Sequence, residues 1–261
     1  MSIDPLLVRA RGLWEDLARV PVSFAPPGGA NVVVSPESGL CPAGWAGVVV
    51  LGGSAIVTAP SEGAAGIVRD ALGKLQVQAV TDGAWDGTLI QEALPVSRML
   101  GPATLAYASP AGFRPVGSDA PAVERLPAAH PDLRSLDQAA GQEDAGEAAL
   151  DEITSPAFVV RAQGRVVSAA GYQTWPRGTA HISVLTAPEA RGRGLARVTA
   201  SAAVSHALAV GLLPQWRARP AASRRVAAAL GFRELGFQLS IEIEIAETGA
   251  GPLDETRHLL R

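Results

Sequence analysis

Cysteine is almost missing from this chain. Cys41 stands alone, which excludes an internal disulfide framework and any cysteine-rich metal cluster and is compatible with a reducing compartment. Lysine is confined to Lys74 while arginine and alanine abound, a bias that reads as the codon usage of a GC-rich genome. Charge of one sign is not in excess. The formal net charge is −3, so nothing global points to nucleic acid or to an anionic membrane surface. No window approaches the roughly 18 uninterrupted apolar residues of a membrane helix, and Met1-Ser2-Ile3-Asp4 carries an acid where a secretory signal carries bases. A soluble, cytoplasmic protein without a metal centre is the expectation. Hydrophobic residues, in contrast, make up 48% of the 261 positions. That is ample for a packed core, and a charged fraction of 18% is low for a disordered chain.

This length suits one large domain or two ordinary ones. Apolar spacing predicts a helix over 5–19. The β-branched runs 31–35, 47–51 and 55–59 read as strands, 62–74 as a helix, and 85–94 and 100–107 as further elements punctuated by Gly101-Pro102. Residues 108–121 are rich in breakers and make the best candidate linker. The expected division is an N-terminal α/β domain over 1–115, a second domain over 122–248 and a tail over 249–261. Beyond the linker comes an acidic, alanine-rich helical region over 130–152. Two apolar runs, 157–162 and 166–172, flank Gln163-Gly164-Arg165 as a hairpin. A strand over 179–186 follows, then a helix over 195–210 closed by Gly211. A strand over 214–218, a helix over 222–230 ended by Gly231 and a strand over 238–245 complete the pattern.

The most telling stretch joins the 179–186 strand to its helix: Val184-Leu185-Thr186-Ala187-Pro188, then Arg191-Gly192-Arg193-Gly194-Leu195-Ala196. A strand, a glycine turn and a helix N-terminus in succession bring unpaired N–H groups and the positive end of a helix dipole together, a site suited to a pyrophosphate. Around it, from Arg161 to Arg233, stand eleven arginines and one carboxylate, Glu189. An excess this one-sided argues for a polyanionic ligand. The segment lacks the interleaved aromatics that nucleic-acid binding would call for.

These residues resemble the GCN5-related N-acetyltransferase (GNAT) superfamily, whose hallmark Gln/Arg-x-x-Gly-x-Gly/Ala appears here as Arg191-x-x-Gly194-x-Ala196. The resemblance is closer still to the two-domain branch that includes zwittermicin A resistance-type acetyltransferases. The residues that carry it are Thr186-Ala187-Pro188, Arg191 to Ala196, Pro214-Gln215-Trp216, Ser223 and Leu230-Gly231-Phe232. It covers about 150–245 and the N-terminal half only loosely. It implies an α/β fold with a mixed sheet, a GNAT acyl-CoA N-acyltransferase fold in the C-terminal half, and a smaller N-terminal α/β domain that is compatible with a degenerate copy. It implies acetyl-CoA as co-substrate and no metal. The pyrophosphate would rest on Arg191, Gly192, Arg193, Gly194, Leu195 and Ala196. The pantetheine arm would pair with Val184, Leu185 and Thr186, Ser223 would lie in the cofactor site, and Arg224 or Arg225 would reach the 3′-phosphate.

The implied chemistry is direct attack of a small molecule's primary amine on the thioester. No covalent cysteine is needed. Two positions depart from the family pattern: a tyrosine position holds Ala227, and an asparagine position holds Pro220. Tyr172 is a substitute proton donor. For the base, alternation puts His181, Ser183 and Leu185 on one face of the fourth strand, and His181 titrates near neutrality. Glu147, Asp151 and Glu152 either draw in a cationic amine or form a solvated helix face. Three readings stay open: an N-acetyltransferase, a non-catalytic acyl-CoA-binding protein, and an interaction role for the N-terminal half. The acceptor's identity and a homodimer are left undecided.

Overall fold

The computed structural model describes residues 4–74 and 94–244. The expected tail and nearly all of the expected 85–94 element lie outside them. Helix α1 spans Pro5–Leu17. Asp4 caps it, its carboxylate accepting from the Leu6 N–H at 3.0 Å, and Pro5 occupies the first turn, where a missing N–H costs nothing. Strands β1 (Ala30–Val34), β2 (Ala46–Leu51) and β3 (Ser54–Ala59) follow, then α2 (Glu62–Lys74) and β4 (Val96–Tyr107). After β5 (Glu124–Leu126) the expected helical region 130–152 appears in three pieces. These are α3 (Pro131–Ala140), α4 (Gln142–Ala148) and a 3-10 turn at Leu150–Glu152. The break between the first two is Gly141, whose φ of 90° no helix accommodates. The hairpin strands are β6 (Ala157–Ala162) and β7 (Arg165–Trp175). Then come β8 (Thr179–Thr186), α5 (Leu195–Ala209), β9 (Leu213–Ala218), α6 (Ala221–Ala229) and β10 (Arg233–Ile243).

All ten strands join one mixed sheet in the order β1-β3-β2-β10-β4-β9-β8-β7-β6-β5. Strand β10 pairs antiparallel with β2 on one side and with β4 on the other, so the two halves of the chain share a continuous ladder. β2 and β3 are buried at every position, which is why they read as unbroken apolar runs instead of alternating ones.

Alternation sorts the helices onto two faces. Leu105 and Tyr107 of β4 and Leu213 of β9 share a cluster with Leu13 and Trp14 of α1. Ala106, Ile182, Trp216 and Ala218, of opposite parity, share one with α5 and α6. Leu185, on the His181 face of β8, clusters with Leu133 and Leu136 of α3, so α3 and α4 stand on the α1 side. The breaker-rich stretch 108–121 is a fastened strap. Its Arg114 N–H donates to Leu230 O at 2.9 Å and its Val116 N–H to Ser201 Oγ at 2.9 Å. Among the described residues no helix is long and apolar enough to cross a membrane.

Candidate active site

Strands β8 and β9 run parallel, but their pairing stops early. Only Thr179↔Leu213, Ala180↔Pro214 and His181↔Gln215 are in register. Beyond His181 the strands part, β9 continuing to Ala218 against β4 and β8 continuing to Thr186 against β7. The sheet therefore forks. Its register with β7 tells which groups β8 turns into the gap. The Ala187 N–H bonds to Val167 O at 2.9 Å, so by antiparallel alternation Leu185 and Ser183 spend their main-chain groups on β7. Ile182, Val184 and Thr186 turn theirs toward the fork. Val184 and Thr186 present main-chain groups to the gap, and Leu185 borders the same gap without doing so. Its backbone serves β7 and its side chain the core, because the period of a strand is two.

At the head of the fork lies the glycine turn. Gly192 (φ 77°) and Gly194 (φ 74°) both take the left-handed conformation, and a Cβ on either would meet no atom within 4 Å. The N–H groups from Gly192 through Ala196 have no hydrogen-bond partner among the described residues, and no side chain caps α5. A run of unpaired donors opening onto empty space at a helix N-terminus is an anion cradle. It is pinned by a buried hydroxyl ladder. Thr186 Oγ1 meets Ser168 Oγ at 2.9 Å, Ser168 Oγ meets Thr199 Oγ1 at 3.2 Å, and Thr199 donates back to Leu195 O. Arg191 contributes differently from expectation. Its N–H goes to Pro188 O and its guanidinium to Asp144 at 2.5 Å, so it braces the turn and leaves the donors to its successors. Arg193 is exposed beside them.

Fork and turn bound a cavity of about 480 Å³ that also takes in Asp144 and Glu147 of α4, Trp216, Arg217 and Ser223. Helix α4 bridges its mouth with two ion pairs, Asp144 to Arg191 on the β8 side and Glu147 to Arg219 just past β9. Those carboxylates are therefore already neutralised. Ser223 Oγ accepts from Trp216 Nε1 at 2.9 Å, which leaves its own hydrogen available. Arg224 is paired with Glu234, and neither it nor the exposed Arg225 lines the cavity.

His181 sits where the fork begins. Its ring stacks on Trp175, centroids 4.1 Å apart and planes within 10°, and its Nδ1 lies 2.6 Å from Gln215 Oε1. A buried chain of polar groups fixes the tautomer. Trp14 Nε1 can only donate, and it donates to Tyr107 Oη at 2.7 Å. The Gln215 side chain lies beside that hydroxyl, and its Oε1 can only accept. That oxygen receives from His181, so Nδ1 carries the proton and Nε2 keeps its lone pair. Burial, together with the charge of Arg217 and against the pull of the Gln215 bond, brings the imidazole down to about 4, so it is neutral at pH 7. In the sequence Gln215 entered only as part of the Pro214-Gln215-Trp216 match, with no role assigned to it.

Tyr172 is not brought to the site. It pairs in register with Ile182 and so shares the α5 face, where its hydroxyl meets His206 Nδ1 at 2.9 Å. It does not line the cavity. Tyr107, the second of two tyrosines, is buried against Trp14. No phenol reaches the fork, and Ala227 is the buried residue of α6, packed into the core. Among the described residues no group of three or more His, Cys, Asp or Glu side chains is placed to hold a metal. Cys41 is held by the Trp45 carbonyl, and burial pushes its thiol up to about 11, which makes it inert.

Residues 155–236 match the family described as GNAT acetyltransferase. No curated protein matches the chain. Among solved structures, one of a GNAT-family protein from Novosphingobium aromaticivorans is 24% identical with a TM-score of 0.44, covering 56% of this chain and 65% of its own. A GCN5-related N-acetyltransferase from Kribbella flavida is 16% identical with a TM-score of 0.45, covering 62% and 65%. A GCN5-related N-acetyltransferase-like protein from Streptococcus suis is 22% identical with a TM-score of 0.43, covering 62% and 68%. This chain thus spans about two thirds of the length of each. The matched segment runs from the start of the hairpin through the fork and the glycine turn into β10: over residues 155–236, about a third of its length, the chain is similar to the GNAT acetyltransferase family.

Proposed function

We propose that the protein is an acetyl-CoA-dependent N-acetyltransferase acting on the primary amine of a small molecule. The observation that carries this reading is the fork itself, an edge of unpaired β8 backbone leading directly into the unpaired donors of Gly192 to Ala196. A long thin ligand with an amide-bearing arm and a pyrophosphate fits that pairing of features. The arm would add to β8 as an extra strand against Ile182, Val184 and Thr186, and the diphosphate would lie on the turn, near Arg193 and Arg197. When bound, acetyl-CoA supplies the activated acyl group. The chain's own contribution is positional and electrostatic. A β8 N–H facing the gap can polarise the thioester carbonyl, and α4 closes the mouth over the reacting groups. The Nε2 lone pair of His181 is the group on the α4 face able to take the amine's proton.

A second reading, an acyl-CoA-binding protein without turnover, draws on the absence of any phenol in the cavity. Calorimetry with acetyl-CoA and a thiol-release assay across a panel of primary amines separate the two. Binding with amine-dependent thiol release is the expected result. Binding without release on any amine refutes the enzyme, and no binding refutes both readings.

A further inference from the structure

Of the eleven arginines between 161 and 233, six are neutralised by carboxylates: Arg161, Arg177, Arg191, Arg219, Arg224 and Arg233. Among the described residues, five have no carboxylate within salt-bridge distance: Arg165, Arg193, Arg197, Arg217 and Arg225. Only Arg197 and Arg217 of these line the cavity, and they do so from opposite faces of the sheet. Arg197 is in the first turn of α5, beside the phosphate cradle. Arg217, in β9, has the parity of Gln215 and Leu213 and so lies on the face of His181, α1 and α4. That is the side away from the cradle, and the side from which an acceptor would enter.

Arg217 is also held in place. Its Nη1 donates to Gln238 Oε1 at 3.0 Å. Gln238 is buried, and its other amide atom is tied to the Leu40 carbonyl, so the oxygen cannot turn away. One neutral bond fixes the guanidinium without cancelling its charge, and its remaining donors are left for a ligand. A positioned cation with no carboxylate at salt-bridge distance, acted on from further off by Glu147, itself bonded to Arg219, and by Glu152, is a receptor for an oxyanion.

Building on the proposed N-acetyltransferase reading, we propose that the acceptor is a small molecule bearing both an amine and a carboxylate, an amino acid-like compound, and that Arg217 receives the carboxylate. The fork geometry matches: a carboxylate on Arg217 of β9 leaves the amine to face His181 of β8 across the opening. The charge that acts on His181 is that of Arg217 from β9; Glu147 from α4 lines the same cavity, and the stacked Trp175 from β7 is neutral. A carboxylate on Arg217 would offset the charge that holds the imidazole down and so make His181 a better proton acceptor when the acceptor is bound.

The test compares α- and β-amino acids with their own carboxamides, in wild type, Arg217→Gln and Arg217→Lys. Wild type is expected to favour the acid over its carboxamide by at least tenfold in kcat/KM. In Arg217→Gln that ratio should fall to about one, mainly through KM for the acid. Arg217→Lys, which keeps the charge but not the planar fork, should retain part of it. Calorimetry should show unchanged CoA affinity in both variants. A wild-type preference for the carboxamide, or a loss of CoA affinity on changing Arg217, overturns the assignment. If no amine is acetylated, the transferase reading fails on its own. The same acid–carboxamide comparison is then made by equilibrium binding to the CoA-saturated protein, and equal affinity for acid and carboxamide overturns the inference.

Discussion

Gly194 offers a way to separate backbone strain from occupation of the cradle. Its φ of 74° and ψ of 4° place it in the left-handed region at the cap of α5, and a Cβ there would meet no neighbour within 4 Å. Alanine therefore encounters no clash, only the conformational penalty of about 1–2 kcal/mol for an L-residue in that region. In a unit of this size each kcal/mol moves the melting temperature by roughly 2–4 °C. Gly194→Ala should melt a few degrees below wild type. Gly194→Trp carries the same strain and adds an indole where the donors of Gly192 to Ala196 converge. The readout is thermal unfolding with and without acetyl-CoA. At a hundred times its dissociation constant, a ligand contributes about 2.7 kcal/mol, a rise of roughly 5–10 °C on the same scale. Wild type should show that rise, Gly194→Ala a reduced one and Gly194→Trp none, its unliganded melting staying near that of Gly194→Ala. An undiminished rise in Gly194→Trp would refute the assignment of the turn to the cofactor, and an unliganded Gly194→Ala as stable as wild type would refute the strain argument.

Two further predictions concern stability. His181 titrates near 4 when folded and near 6.5 otherwise, so between those values the unfolded chain binds the extra proton. The stability present above pH 6.5 is lost as the pH falls toward 4, by about 3 kcal/mol in all. His181→Gln should remove that part of the acid sensitivity in urea unfolding at pH 7 and pH 4.5, and an identical loss in the variant would show that His181 is not the group responsible. Gly236 lies in β10, where a Cβ would overlap the Val50 carbonyl of β2. Gly236→Ala should cost about 3 kcal/mol as the ladder shifts to relieve the overlap, and a melting temperature within a degree of wild type would contradict the close approach.

Much of this was legible in the sequence wherever the determining interactions are local. The hairpin strand 157–162, the strand 179–186 and the start of α5 at Leu195 were read to the residue, since each is framed by glycine, proline or a change of hydrophobic period. The glycine turn was legible for the same reason. What sequence could not supply is pairing at a distance. The eleven arginines read as an excess because their carboxylate partners, among them Asp4, Asp16, Glu124, Asp144 and Glu147, stand outside the segment counted. Tyr172 was misplaced by a shorter step. It has the right residue type, but alternation turns its side chain to the α5 face, while Leu185, whose main-chain groups go to β7, still lines the cavity. Gln215 acquires meaning only when β4 and α1 bring Tyr107 and Trp14 against it.

The seat of β10 between β2 and β4 bears on how the molecule is made. A ribosome releases β1 to β3 first and β10 after every other strand of the sheet, yet β10 alone hydrogen-bonds the first three strands to the rest. The fork, the cradle and the strands from β4 to β9 can assemble while the chain is still emerging. The N-terminal strands meanwhile keep the β2 edge bare, an open template for stray pairing. In the nascent protein, then, the β2 edge waits for its partner until every strand of the fork has been made.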